Sequence, residues 1–163
     1  MKKIYVKEEH CLGCHLCETY CAAANSADGK NGERNYLVKA FSRAETPVSR
    51  VRIESETADS KGVNFAVQCR HCEVPLCVKG CITGALSVTD GVVSVDDTRC
   101  VGCYTCVLTC PYGCIVIPPE NGDGATNGKR HIIKKCDLCV SRGATPACVE
   151  GCPNGAIVVE ERA

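Results

Sequence analysis

The sequence predicts a small α+β fold: two interleaved modules of short β-hairpins and short helices, with a β-rich insertion. Three observations predict it. Seventeen cysteines occur in 163 residues, and all but one fall into four similar groups. An Asp90-Gly91 turn signal sits between two short β-prone runs. A long cysteine-free stretch separates the first group from the second.

Side-chain burial alone is a poor source of stability for this chain. It has Phe41, Phe65 and five tyrosines as its only aromatics, no Trp, and 15 Gly and 7 Pro. The cysteines must supply what an apolar core lacks. Disulfides, zinc and iron–sulfur clusters compete for so many thiols. The opening MKKIYVKEEH has no apolar signal region, and no stretch reaches transmembrane length. A cytoplasmic protein without direct membrane insertion is therefore expected. Thiols stay reduced there, which sets a disulfide framework aside. The 19 Lys+Arg balance 19 Asp+Glu, so nothing points to nucleic acid or anionic lipid as a partner.

In chain order, Ile4 to Val6 reads as a terminal strand. The first group is CLGCHLCETYC, with Cys11, Cys14, Cys17 and Cys21. Residues 22–68 form the insertion, with the polar SADGKNGER and the β-like runs YLVKAF and SRVRI. The second group, CRHCEVPLCVKGC, carries Cys69, Cys72, Cys77 and Cys81. ALSVTDGVVSVDDTR follows as a hairpin around Asp90-Gly91. The third group, CVGCYTCVLTCP, carries Cys100, Cys103, Cys106 and Cys110. Ile115 to Ile117 and His131 to Ile133 are expected to pair around the loop from Glu120 to Gly128. The fourth group, CDLCVSRGATPACVEGCP, carries Cys136, Cys139, Cys148 and Cys152, and Ile157 to Val159 reads as the closing strand.

The repeating unit is thus a binding site. Groups one and three have the spacing C-x2-C-x2-C-x3-C; the second and fourth stretch only the middle gap. A cubane cluster needs four thiolates, and a loop with Cys at i, i+3 and i+6 wraps three of its corners. The fourth comes from elsewhere: in bacterial two-cluster ferredoxins the last Cys of each run ligates the other cluster and is often followed by Pro, as in Cys110-Pro111 and Cys152-Pro153. Zinc favours separate C-x2-C knuckles, a poorer match to a fourfold repeat of this spacing. Four [4Fe-4S] clusters are expected, adding about −8 to the charge of the loaded protein.

With these motifs the chain resembles the four-cluster, sixteen-cysteine electron-transfer subunits of the dimethyl sulfoxide reductase and formate hydrogenlyase type. MKKIYVKEEHCLGC, QCRHCEVPLC and CVGCYTCVLTCPYG are most similar to the ferredoxin-like partners of carbon monoxide dehydrogenase and of tungsten aldehyde oxidoreductases. The resemblance implies a non-catalytic relay between a catalytic oxidoreductase subunit and an acceptor. Copies of itself, a flavin subunit or a hydrogenase subunit are further partners it implies. Cys21 and Cys81 depart from it, being followed by Ala22 and Ile82 where many relatives have Pro. The extra N–H groups are expected to bond to the clusters.

Groups two and three are joined only by Ile82 to Arg99, enough for one hairpin, so they should pair as one ferredoxin-like module over residues 69–114. Groups one and four then pair as an outer module, residues 1–21 plus 132–163, with 115–131 as a hairpin loop; the resembled family has the same nested order. Exchanging the last cysteines gives four ligand sets: Cys11, Cys14, Cys17 with Cys152; Cys136, Cys139, Cys148 with Cys21; Cys69, Cys72, Cys77 with Cys110; and Cys100, Cys103, Cys106 with Cys81. Tandem pairing of one with two and three with four is the rival.

Cys114 lies outside the repeat and reads as a small buried hydrophobe rather than a redox thiol. His10, His15 and His71 lie beside or inside cysteine groups without a ligand role, and Tyr104 and Tyr112 read as packing. No nucleophile elbow, phosphate loop or dinucleotide fingerprint is present, so no enzyme activity is expected. A freely diffusing polyferredoxin and a non-redox scaffold are the rival functions.

Overall fold

A computed structural model describes residues 2–30, 35–58, 61–122, 132–143 and 145–161. The chain opens with strand β1 (Lys2–Val6), passes a single turn of 3-10 helix, and enters the first cysteine loop. Helix α1 (Leu16–Asn25) starts inside that group and carries Cys17 and Cys21 on its buried side, with Ala22, Ala23 and Ala24 packed beneath it. Two short helices follow, α2 (Ala27–Lys30) and α3 (Tyr36–Phe41), then the hairpin of β2 (Val51–Ala58) and β3 (Lys61–Gln68).

The rest of the chain alternates one-turn helices and short strands. Helix α4 (Leu76–Lys79) leads into β4 (Leu86–Thr89), which turns at Asp90 and Gly91 into β5 (Val92–Val95). Both turn residues have positive φ, 51° and 76°, as a two-residue type I′ turn demands. Helix α5 (Thr105–Thr109) follows the third cysteine loop; α6 (Ala147–Glu150) and β6 (Ile157–Glu161) end the chain.

The pairing of β1 with β6 is antiparallel, in the register Ile4 to Val159, and brings the two ends of the described chain together. The sheets are all two-stranded, which alone would be marginal in water, so each must be held by what packs against it. Their surroundings are small. The buried residues are mostly Ala, Cys, Val and Ile, and the largest fully buried side chains are Ile133, His71 and Val93. The core divides into three patches, and cysteines belong to every one.

A repeat longer than the cysteine spacing emerges. Pro75 to Val88 and Pro146 to Val159 share the pattern P-x-C-V-x-G-C-x-x-G-A-L/I-x-V. Pro75 caps α4 and Pro146 caps α6, and both helices stop at a glycine with nearly the same angles, φ −84° at Gly80 and −81° at Gly151. Proline before the first turn costs no hydrogen bond and fixes the entry. The strand after each helix pairs with the strand before the partner loop: Ala85 accepts from the Asp96 N–H and Ala156 from the Lys7 N–H, both at 2.8 Å.

Three expectations need correction. YLVKAF is the helix α3, not a strand: Ala40 turns inward, the Ser42 hydroxyl donates to the Val38 carbonyl at 2.8 Å, and packing on α1 and α2 overrides the β preference of Val38 and Phe41. The stretch 22–68 therefore begins with short helices, and only the part from SRVRI onward forms the hairpin. A bidentate Arg43–Asp28 pair, with bonds of 2.5 and 2.7 Å, ties its helical part together. Ala22 lies inside α1, where the helix ladder takes its N–H; the helix that continues to Asn25 also explains the absence of proline there. The pairing expected after the third group is a single antiparallel bridge, Val116 with Lys134, while His131 and the loop from 123 to 128 lie outside the described residues.

Helices α1 and α6 meet with Gly151 directly against Tyr20, and a Cβ on Gly151 would clash with the Tyr20 ring and its Cβ. Gly151→Ala is expected to destabilise the anaerobic protein by about 1–3 kcal/mol. Gly62→Ala, which meets nothing within 4 Å, should change it by no more than about 0.5 kcal/mol in the same thermal melt.

Candidate functional site: cysteine-lined hollows

The first and third cysteine loops are conformational copies. Gly13 and Gly102 have φ of 67° and 69°, a left-handed conformation that glycine adopts without strain. His15 and Tyr104, one residue after the second cysteine of each loop, both sit at φ 59°, ψ 7°. That conformation disfavours residues with a Cβ and costs about 1–3 kcal/mol. Its occurrence at the same place in both loops marks a requirement to curl the chain, so that the third cysteine faces the first two. Leu138 and Cys139 adopt positive φ in the fourth group, and His71 in the second.

These loops border hollows. One is lined by Cys11, Cys14, Cys17 and Cys152; a second by Cys69, Cys72, Cys77 and Cys110, with Cys114 beside them; a third by Cys81, Cys100, Cys103 and Cys106. Cys21, Cys136, Cys139 and Cys148 also come together, close enough that the first three each raise the pKa of Cys148 after burial has done so. The thiols surround space instead of converging on a point, and among the described residues no three metal-binding side chains could hold a single ion. A [4Fe-4S] cubane has iron at four alternate corners, each bound by one outside donor, and needs such a spread donor set. Four sulfur donors around a shared hollow fit that group.

Burial dominates the electrostatics. It pushes the thiols of Cys17 and Cys136 up to about 12 and of Cys106 up to about 11. Iron held by these sulfurs would have to displace their protons, and its binding free energy would then be coupled to folding. Cys103 is the opposite case. It is exposed, and the N–H and hydroxyl of Thr105 hold its thiol below the usual value. Backbone N–H groups point at several sulfurs: Arg50 to Cys21 at 3.3 Å, Leu138 to Cys136 at 3.4 Å, and Cys114 to Cys110 at 3.5 Å.

All seventeen cysteines are free thiols. Cys114 is 3% exposed, and its thiol donates to the Gln68 carbonyl at 3.0 Å. His15 is exposed and meets Glu18, whereas His71 is buried. Burial, with the Lys135 charge beside it, pushes the His71 pKa down to about 4, so its ring is neutral at physiological pH. Lys135 was not singled out by sequence reasoning. Next to a cysteine motif it reads as any surface lysine, and only its burial distinguishes it.

Loops of this kind, presenting sets of thiols around shared hollows, define an iron–sulfur protein. Residues 61–162 match the family described as a 4Fe-4S dicluster domain, and the chain belongs to that family. The chain is 38% identical over 161 residues to an iron–sulfur protein of Rhodospirillum rubrum, covering 94% of this chain and 79% of that one. It is 35% identical to the electron transport protein HydN of Escherichia coli strain K12, covering 93% and 83%. With the thiosulfate reductase electron transfer subunit PhsB of Salmonella typhi it shares 32% identity, covering 92% and 70%. The relatives are thus iron–sulfur and electron-transfer proteins, and the matched family region leaves the first cysteine group outside it. Among the described residues, no helix is long and apolar enough to cross a membrane.

Proposed function

We propose that this chain is a non-catalytic electron-transfer subunit that holds four [4Fe-4S] clusters, the ligand sets exchanging their last cysteines between groups one and four and between groups two and three. One observation carries the reading: each of three hollows brings three cysteines of one group together with the final cysteine of another, and only in the hollow of Cys69 does a further cysteine, Cys114, join them. The antiparallel pairs β1–β6 and β4–β5 join the same groups, which supports two nested modules. When bound, the clusters supply one-electron oxidation and reduction.

The chain's own residues do the rest. Arg50, Leu138 and Cys114 donate N–H groups to thiolate sulfur, which stabilises negative charge and raises potential. Burial on α1 and α6 keeps water from the inner sulfurs. Proximities suggest a row: α1 links Cys17 to Cys21, Cys69 stands close enough to raise the pKa of Cys136, and Cys77 and Cys81 flank the end of α4. Cys14 and Cys103, the two exposed cysteines, would lie at opposite ends of that row. Exposed Leu12 and Leu16 flank Cys14, and exposed Val101 and Leu108 flank Cys103, apolar surface suited to partner subunits.

The catalytic partner is an oxidoreductase, such as a carbon monoxide dehydrogenase or a tungsten aldehyde oxidoreductase, by the resemblance of the cysteine motifs; PhsB, an electron transfer subunit by name, supports a place in a complex. The cytoplasm, which keeps seventeen thiols reduced before iron arrives, is the compartment that suits it.

Size-exclusion of native extract under anaerobic conditions should find the chain in a larger complex that dithionite bleaches reversibly; a lone species of 17.3 kDa would instead favour a free carrier. In the purified protein, Cys11→Ala and Cys152→Ala should each abolish the same electron paramagnetic resonance signal, and Cys81→Ala a different one. Loss of one signal in both Cys11→Ala and Cys81→Ala would establish tandem pairing.

A further inference from the structure

Lys135 is 3% exposed, yet among the described residues no carboxylate stands within ion-pair distance of its ammonium. Its Nζ donates to two carbonyl oxygens, of Val93 at 2.5 Å and of Cys136 at 2.7 Å. Carbonyl dipoles satisfy its N–H groups but leave the charge itself uncompensated, and a buried uncompensated charge is costly. The neighbouring Lys134 offers a contrast, for it reaches out to Asp97 at 3.0 Å. Asp97 and Asp137 line one hollow with Lys135 without reaching ion-pair distance of its ammonium, and sulfur lines another. Lys135 lines the hollow of Cys69, Cys72, Cys77 and Cys110, and in sequence it adjoins Cys136 of the other module. Its charge favours the thiolate of Cys77 on one side and of Cys136 on the other.

A second buried group is anchored at the same point. The Val93 N–H donates to His71 Nδ1 at 3.0 Å, so the neutral ring carries its proton on Nε2, which finds no partner among the described residues. One residue of β5 therefore orients both a cation through its carbonyl and an imidazole through its N–H. Both hold positive or partly positive groups where the two modules meet.

We infer that Lys135 is the charge that sets the potentials of the two central clusters, at the junction between modules, and so eases electron passage from one module to the other. The inference rests on the four-cluster reading above. One-electron reduction at either central site adds one negative charge there, and a fixed cation between the sites favours that step at both. The two outer sites lie beyond it and owe it little.

The test is a mediated dithionite titration of the complete, anaerobically purified protein, followed by electron paramagnetic resonance. Lys135→Met removes charge and donors; Lys135→Gln keeps a donor to the carbonyls and removes only the charge. In both variants the steps belonging to the Cys77 and Cys136 sites should move to more negative potential, with the other two unchanged. Four unmoved steps, or four that shift together, would overturn the inference. So would loss of iron from both variants, which would make Lys135 a folding residue. A native protein with fewer than four reducible centres would instead sink the four-cluster reading itself.

Discussion

Everything in this chain hangs on bringing the last cysteine of each group across to the loop of another. Two-stranded sheets and one-turn helices do not hold together by themselves, and the buried side chains are mostly alanine, valine, isoleucine and cysteine. Thiols belong to every core patch, so the cysteine-lined hollows and the core are built from the same residues. Burial raises the inner thiols far above the range in which they ionise in water, so on the proposed reading metal would make thiolates of them in place and loading would be coupled to folding.

The loops record the same requirement in their backbone. Left-handed His15 and Tyr104 accept strain at matching positions because three sulfurs must converge within a few residues. The one-turn helices α4 and α6 are framed by proline before and glycine after, which fixes where the next cysteine emerges. The conformational economy lies in repetition: groups one and three share one loop, and groups two and four share the proline-framed helix that ends them.

Much of this was legible in the residues. Ile4 to Val6 and Ile157 to Val159 are the terminal strands expected, and they pair with each other, while Asp90-Gly91 turns as its chemistry demands. Local signals failed where packing decided. Tyr36 to Phe41 has strand-like composition, but a small residue, Ala40, lets it lie as a helix against α1. The extended repeat from Pro75 and Pro146 stood in the sequence and was hidden by attention to cysteine alone. Burial of His71 and Lys135 had no signal at all, because neighbours to a cysteine motif are as often solvated as enclosed. Their importance arises from where β5 runs, because its Val93 donates to His71 and accepts from Lys135.

The central claim is that four cubanes occupy the cysteine sets, and metal analysis of protein purified without oxygen addresses it most directly. The account predicts about sixteen iron and about sixteen acid-labile sulfide per chain. About four zinc per chain with no sulfide would contradict it.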